Sequence, residues 1–190
     1  MGTSVNQPSP NTPNWRLARA LLGRPDAPPP DQVAELWRAA TADRARALEK
    51  EFSDPLLAQA ARMAAAFPRE PQQALAQFDE ALYESRSRSL VLEFGRRALA
   101  RCALTGTGSE GFAAELFSEA TSYYVARDLP GFVGSPNRVA NAHDALKLKA
   151  ELQNVTRRLA STAVVPVDAG GWARYVTATI ERLTGGGESR

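Results

Sequence analysis

The stretch from Ser109 to Leu159, SEGFAAELFSEATSYYVARDLPGFVGSPNRVANAHDALKLKAELQNVTRRL, decides the fold. Ser109 is placed to cap free backbone N–H groups, and Glu110 adds an acid to the first turn. Phe112, Leu116 and Ala120 then share one helical face with Tyr123 and Tyr124. Pro130 stops that helix. Pro130-Gly131 suits the two central positions of a type II turn, since proline presets the first φ and glycine accepts the positive φ of the second. Ser135-Pro136 restarts a helix as cap and first residue, and Leu148, Leu152, Val155 and Leu159 recur at i, i+4, i+7 and i+11 along it. Two apolar faces joined by so short a break predict an αα-hairpin at the centre of the protein.

The same period extends outward in both directions. Trp15, Ala18, Leu21 and Leu22 mark a short helix ended by Gly23 and a proline linker. From Asp31 the run DQVAELWRAATADRARALEKEF reads as one long helix, with Val33, Leu36, Trp37 and Ala40 on a face that Ala45, Leu48 and Phe52 continue. Pro55 to Phe67 and Pro71 to Tyr83 give two more helices, with Leu56, Leu57, Ala60, Met63, Ala64 and Phe67 and then Leu75, Phe78 and Leu82 as their apolar sides. Between Ser89 and Leu104 apolar residues cover most of the circumference, which predicts a helix near the middle of a bundle. Gly95 inside it requires a close helix crossing to offset its poor propensity. STAVVPVDAGG is a connector into a last helix with Trp172, Val176, Ile180 and Leu183 on one face. The prediction is all-α: a multi-helix bundle of seven or eight helices. One domain spans residues 14–184, divisible into lobes 14–104 and 109–184, between a disordered tail at 1–13 and a flexible tail at 185–190.

Composition narrows the class. At 190 residues, with 44% hydrophobic and 23% charged residues, the chain has the balance of a globular protein, and no apolar run approaches the ~18 residues that would span a bilayer. The amino end has neither the basic start nor the apolar stretch of a secretory signal, so a cytoplasmic protein without membrane attachment is expected. The lone Cys102 lies in an apolar pattern and reads as a buried, inert thiol. Of 23 basic residues only Lys50, Lys147 and Lys149 are lysine. Arginine favours phosphate and protein interfaces, but arginine beside abundant alanine is also what a GC-rich bacterial genome produces.

No catalytic constellation emerges. Gly106-Thr107-Gly108-Ser109-Glu110-Gly111 has the spacing G-x-G-x-x-G, yet a helix precedes it and no βαβ unit follows, so it reads as an interhelical loop. Glu115 and Glu119, with Asp79, Glu80 and Glu84, lack the paired Glu-x-x-His of a four-helix metal site, because His143 is the single histidine and position 140 is alanine. These acids read as solvated faces. No metal and no cofactor is expected.

Two surfaces remain. The turn residues Tyr123, Tyr124, Arg127, Asp128 and Phe132 combine the types that dominate protein interfaces, and they are the candidate partner-binding segment. Arg86, Arg88, Arg97 and Arg101, joined by Lys147, Lys149, Arg157 and Arg158, form the candidate nucleic-acid surface if their helices are neighbours. Glu93, four residues before Arg97, is expected to neutralise part of that charge. The functional expectation is a non-catalytic adaptor, or small subunit of a larger bacterial protein assembly, with homo-oligomerisation left open. The alternative is a nucleic-acid-binding subunit, for example of a defence ribonucleoprotein. A third class, a ligand-binding or enzymatic bundle, requires a pocket lined by Tyr123, Tyr124 and His143.

Overall fold

A computed structural model describes residues 28–41, 45–66, 71–86, 89–126, 142–161 and 165–185. The amino-terminal tail and the Trp15 helix, Phe67, Arg88, Arg127, Asp128, the turn with Phe132, and residues 186–190 lie outside the described residues. The described residues form eight helices and no strand: α1 Pro30–Thr41, α2 Ala45–Phe52, α3 Pro55–Ala66, α4 Pro71–Ser85, α5 Leu90–Thr105, α6 Ser109–Tyr124, α7 Ala142–Ala160 and α8 Ala169–Thr184. The all-α bundle is therefore the architecture.

Local chemistry sets the ends of these helices. Prolines 30, 55 and 71 each take a first helical position, where the missing N–H has no intrahelical partner to lose. The Asp54 carboxylate accepts from the Leu56 N–H at 2.9 Å, Ser89 accepts from Val91 at 3.3 Å, and Asp168 accepts from Gly171 at 2.8 Å. Gly106 closes α5 at φ +69° and Gly185 closes α8 at φ +70°, the left-handed conformation that suits glycine. The Arg38 guanidinium also donates to the Thr184 carbonyl at 2.9 Å, placing a cation from α1 at the negative end of α8.

Two expectations about helix ends are corrected. Ser109 does not cap α6; Gly108 holds the extended cap position without a side-chain bond, which leaves Ser109 inside the first turn. The run from Asp31 to Phe52 is two helices. In one straight helix Leu48 and Phe52 would be rotated by about 60° and 100° from Val33, so both could not face the same core. α1 ends at Thr41, whose hydroxyl bonds the Trp37 carbonyl at 2.7 Å, and α2, from Ala45, places Leu48 and Phe52 in the interior.

The centre is α6, with Phe112, Ala113, Leu116, Phe117 and Ala120 fully buried. It packs most extensively on α5 and α7, so the hairpin read from the sequence is present, with Leu148, Leu152 and Val155 buried on the α7 side. α3 crosses behind it on a face of alanines, Ala58, Ala60, Ala61 and Ala64, which lets the backbones approach. At Gly95 of α5 a β-carbon would collide with Cδ2 of Leu57, so the glycine is the crossing point of α5 over α3. α4 lies at one flank, against α3 and α5. α8 closes the other side with Trp172, Tyr175, Val176 and Leu183, and one continuous apolar core runs from Val33 to Leu183.

Candidate interaction surface

The seven described basic residues proposed for nucleic acid do not form one free patch. α5 and α7 both flank α6, and α6 presents Glu115 and Glu119 between them. Arg157 of α7 grips Glu115 with two bonds, Nε to Oε1 at 2.8 Å and Nη2 to Oε2 at 3.3 Å, and its Nη1 donates to Asn154. From the other side Arg101 lies 3.5 Å from Glu115 and 3.6 Å from Glu119, and Arg97 lies 3.8 Å from Glu119. Three cations thus bracket two acids. The glutamate side chains keep only 17% and 15% of their exposure, so reading them as solvated is corrected: they are an acidic ridge held between arginines. Arg97 is balanced by Glu119 of the neighbouring helix, not by Glu93 four residues before it. Asp79 is likewise paired, to Arg96 at 2.6 Å across α4 and α5.

The other described candidates lie on α7 and just beyond α4. Arg86 is exposed just beyond α4, at φ +52°. Lys147 and Arg158 are exposed on α7 and Lys149 is half-buried there. Geometry that gathers Arg97, Arg101 and Arg157 also supplies the anions they contact, which leaves little charge for a phosphate backbone.

The second surface is aromatic. Tyr123 and Tyr124, in the last turn of α6, stand edge to face with centroids 5.1 Å apart. Both contact the buried Phe94 of α5, at 5.6 and 6.0 Å, and Tyr124 also meets Trp37 of α1 at 6.5 Å. Tyr124 is half-buried, whereas Tyr123 retains 36% of its exposure. The cluster is thus a rigid aromatic stack with its outer member at the surface. His143 is exposed in the first turn of α7.

No protein-family model, curated protein or solved structure matches this chain. Function must be argued from the site itself.

The chemistry of the other candidates is limited. Cys102 is fully buried, and loss of water pushes its thiol pKa up, the opposite of what a nucleophilic thiolate needs. Among the described residues no group of three His, Cys, Asp or Glu side chains is gathered to hold a metal ion, and no helix is long and apolar enough to cross a membrane. Of the G-x-G-x-x-G segment, Gly106 to Gly108 are an exposed link between α5 and α6 and Ser109 to Gly111 open α6, where Thr107 packs against the position that a β-carbon on Gly111 would take.

Sequence reasoning missed the ion-pair ladder because it crosses three helices. The i, i+4 spacing of Glu115 and Glu119 and of Arg97 and Arg101 was the available signal: two like-charged pairs, each one turn long, on consecutive helices.

Proposed function

We propose that this chain is a non-catalytic helical adaptor, or small subunit of a larger assembly, that acts through protein–protein contacts at the carboxyl end of α6. The observation that carries the reading is Tyr123, a partly exposed aromatic ring fixed on the buried Phe94. A ring already held by its neighbours loses little rotamer freedom on binding, which is how tyrosine contributes strongly to interfaces. The balanced arginines of α5 and α7 support the same choice, since they weaken the case for phosphate.

The test is recovery of partners by the tagged chain from its native host. Tyr123→Ala is expected to weaken association by about 2 kcal/mol, close to thirtyfold, per folded molecule, beyond the fall in Tm that loss of its contacts with Phe94 and Tyr124 brings. Undiminished recovery of every partner would reject this site.

The alternative, a nucleic-acid-binding subunit, has exposed Lys147 and Arg158 in its favour. Oligonucleotide binding that falls with salt and disappears in Lys147→Glu with Arg158→Glu would select it.

A further inference from the structure

We propose that the chain also binds further copies of itself head to tail, with the outer face of α4 in one copy seated on the outer face of α7 in the next. This deepens the adaptor reading, on which it rests, by naming one of the partners. The two helices lie on different sides of the bundle: α4 packs on α3 and α5, and α7 packs on α6, α8 and α1. Each keeps a face turned outward. Among the described residues four large apolar side chains are exposed, and two of them sit on these faces, Tyr83 of α4 at 86% and Leu146 of α7 at 63%.

Their surroundings are opposite in charge and alike in spacing. Tyr83 is flanked by the exposed acids Glu80 and Glu84, at positions −3 and +1. Leu146 is flanked by the exposed donors His143 and Lys147, again at −3 and +1, with Arg158 three turns further on the same outward face. None of Glu80, Glu84, Lys147 and Arg158 has an ion-pair partner among the described residues, whereas Arg96, Arg97 and Arg101 of α5 and Glu115 and Glu119 of α6 are paired within the fold. Ala142 and Ala150, one turn to either side of Leu146, are exposed and small, so a tyrosine ring can lie beside the leucine with its hydroxyl at the rim. The exposed positions of α7, Ala142, His143, Leu146, Lys147, Ala150, Asn154 and Arg158, include no acid, and the half-buried Asp144 and Glu151 lie at the Lys147 edge of that face, so its exposed charge still favours an acidic helix as occupant. α4 is such a helix on the same chain.

Because the two patches differ, the contact is heterologous: a dimer formed through it still offers one free α4 and one free α7, and growth continues to a ring or a filament. One helix laid on another covers less than a standard interface, so the dissociation constant is expected to be about 10 μM or weaker.

Sedimentation of the full chain from ~10 μM to ~1 mM, at ~0.05 and ~0.5 M salt, tests this. The weight-average mass is expected to rise past the dimer with concentration and to fall with salt. Two variants then probe the polarity: Tyr83→Ser with Glu80→Gln and Glu84→Gln, and Leu146→Ser with Lys147→Gln. All five positions are outside the core, so circular dichroism should be unchanged. Each variant alone is expected to stay monomeric, and an equal mixture to stop at a dimer, because only one intact α4 and one intact α7 remain to meet. A wild type that is monomeric at ~1 mM, a variant that associates as wild type does, or a mixture that stays monomeric overturns the proposal. So does oligonucleotide binding on α7 without self-association. If self-association is absent while Tyr123→Ala still loses its partner, this inference fails and the adaptor reading stands.

Discussion

The indole nitrogen of Trp37 donates to the hydroxyl of Thr121, 3.2 Å away, and so joins α1 to the last turn of α6 through a buried hydrogen bond. The link continues: the Thr121 hydroxyl lies 2.9 Å from that of Thr156 on α7, which donates to its own Leu152 carbonyl at 2.8 Å. Three helices thus share one polar relay in an apolar core. Thr121→Val keeps the shape and removes the acceptor, leaving the indole N–H buried without its partner. The expected loss is about 1–3 kcal/mol in urea unfolding, with Thr121→Ser much milder because it retains the oxygen. Equal losses in the two variants would mean that packing of the threonine methyl, and not the hydroxyl, matters.

Gly95 provides a case where propensity and packing disagree in sign. Alanine at an interior helical position is favoured over glycine by about 1 kcal/mol, yet its β-carbon would collide with the fully buried Leu57. Overpacking a close crossing costs about 1–3 kcal/mol, so Gly95→Ala is expected to be destabilising overall. The double-mutant cycle with Leu57→Ala decides the cause. Space made at Leu57 should render Gly95→Ala neutral or favourable, and simple additivity would exclude the crossing as the reason for the glycine.

Much of this architecture was legible in local pattern, because proline starts, glycine stops and a 3.6-residue period are properties of neighbouring residues. The hairpin faces of α6 and α7 and the close approach at Gly95 could be read that way. What could not be read depends on which helices become neighbours. Tyr175 and Thr179, buried on α8, lie beside the Trp172 and Val176 stripe and are covered because other helices lean over that flank. The break after Thr41 was hidden because alanine and arginine are good helix formers on both sides of it. Glu115 and Glu119 looked solvated because their partners are 14 to 42 positions away in sequence. The Tyr123 end of the candidate site was visible as a cluster of residue types, but its support by Phe94 required the α5 and α6 pairing.

The ion-pair ladder makes a prediction about what the protein does not bind. Glu115→Gln with Glu119→Gln preserves shape and leaves Arg97, Arg101 and Arg157 without counter-charge. This variant is expected to acquire salt-sensitive binding to single-stranded oligonucleotides, at least ~10-fold tighter than the parent at low ionic strength. No gain would show that these arginines cannot reach a phosphate backbone even when released. Strong binding by the parent itself would show that the glutamates do not neutralise them.

The last prediction concerns alkaline pH and Tyr175. Its hydroxyl is buried and donates to the Ala160 carbonyl at 2.6 Å, satisfying the end of α7 from α8, and loss of water pushes the phenol up from 10.0 to about 12. Folding therefore holds this proton more tightly than the unfolded chain does. The sign follows directly: the stabilisation is complete below pH 10, where both states are protonated, and is lost as pH rises through the folded value near 12. Its size is about 2–3 kcal/mol for a two-unit shift. The buried Cys102 thiol, also raised, adds loss on the alkaline side and is common to the variants compared. Tyr175→Phe should cost about 1 kcal/mol at neutral pH, through the unpaired Ala160 carbonyl, and should flatten the decline in unfolding free energy between pH 10 and 12. An alkaline decline as steep in the phenylalanine variant as in the parent would assign that limb to other groups and leave Tyr175 with a packing role alone.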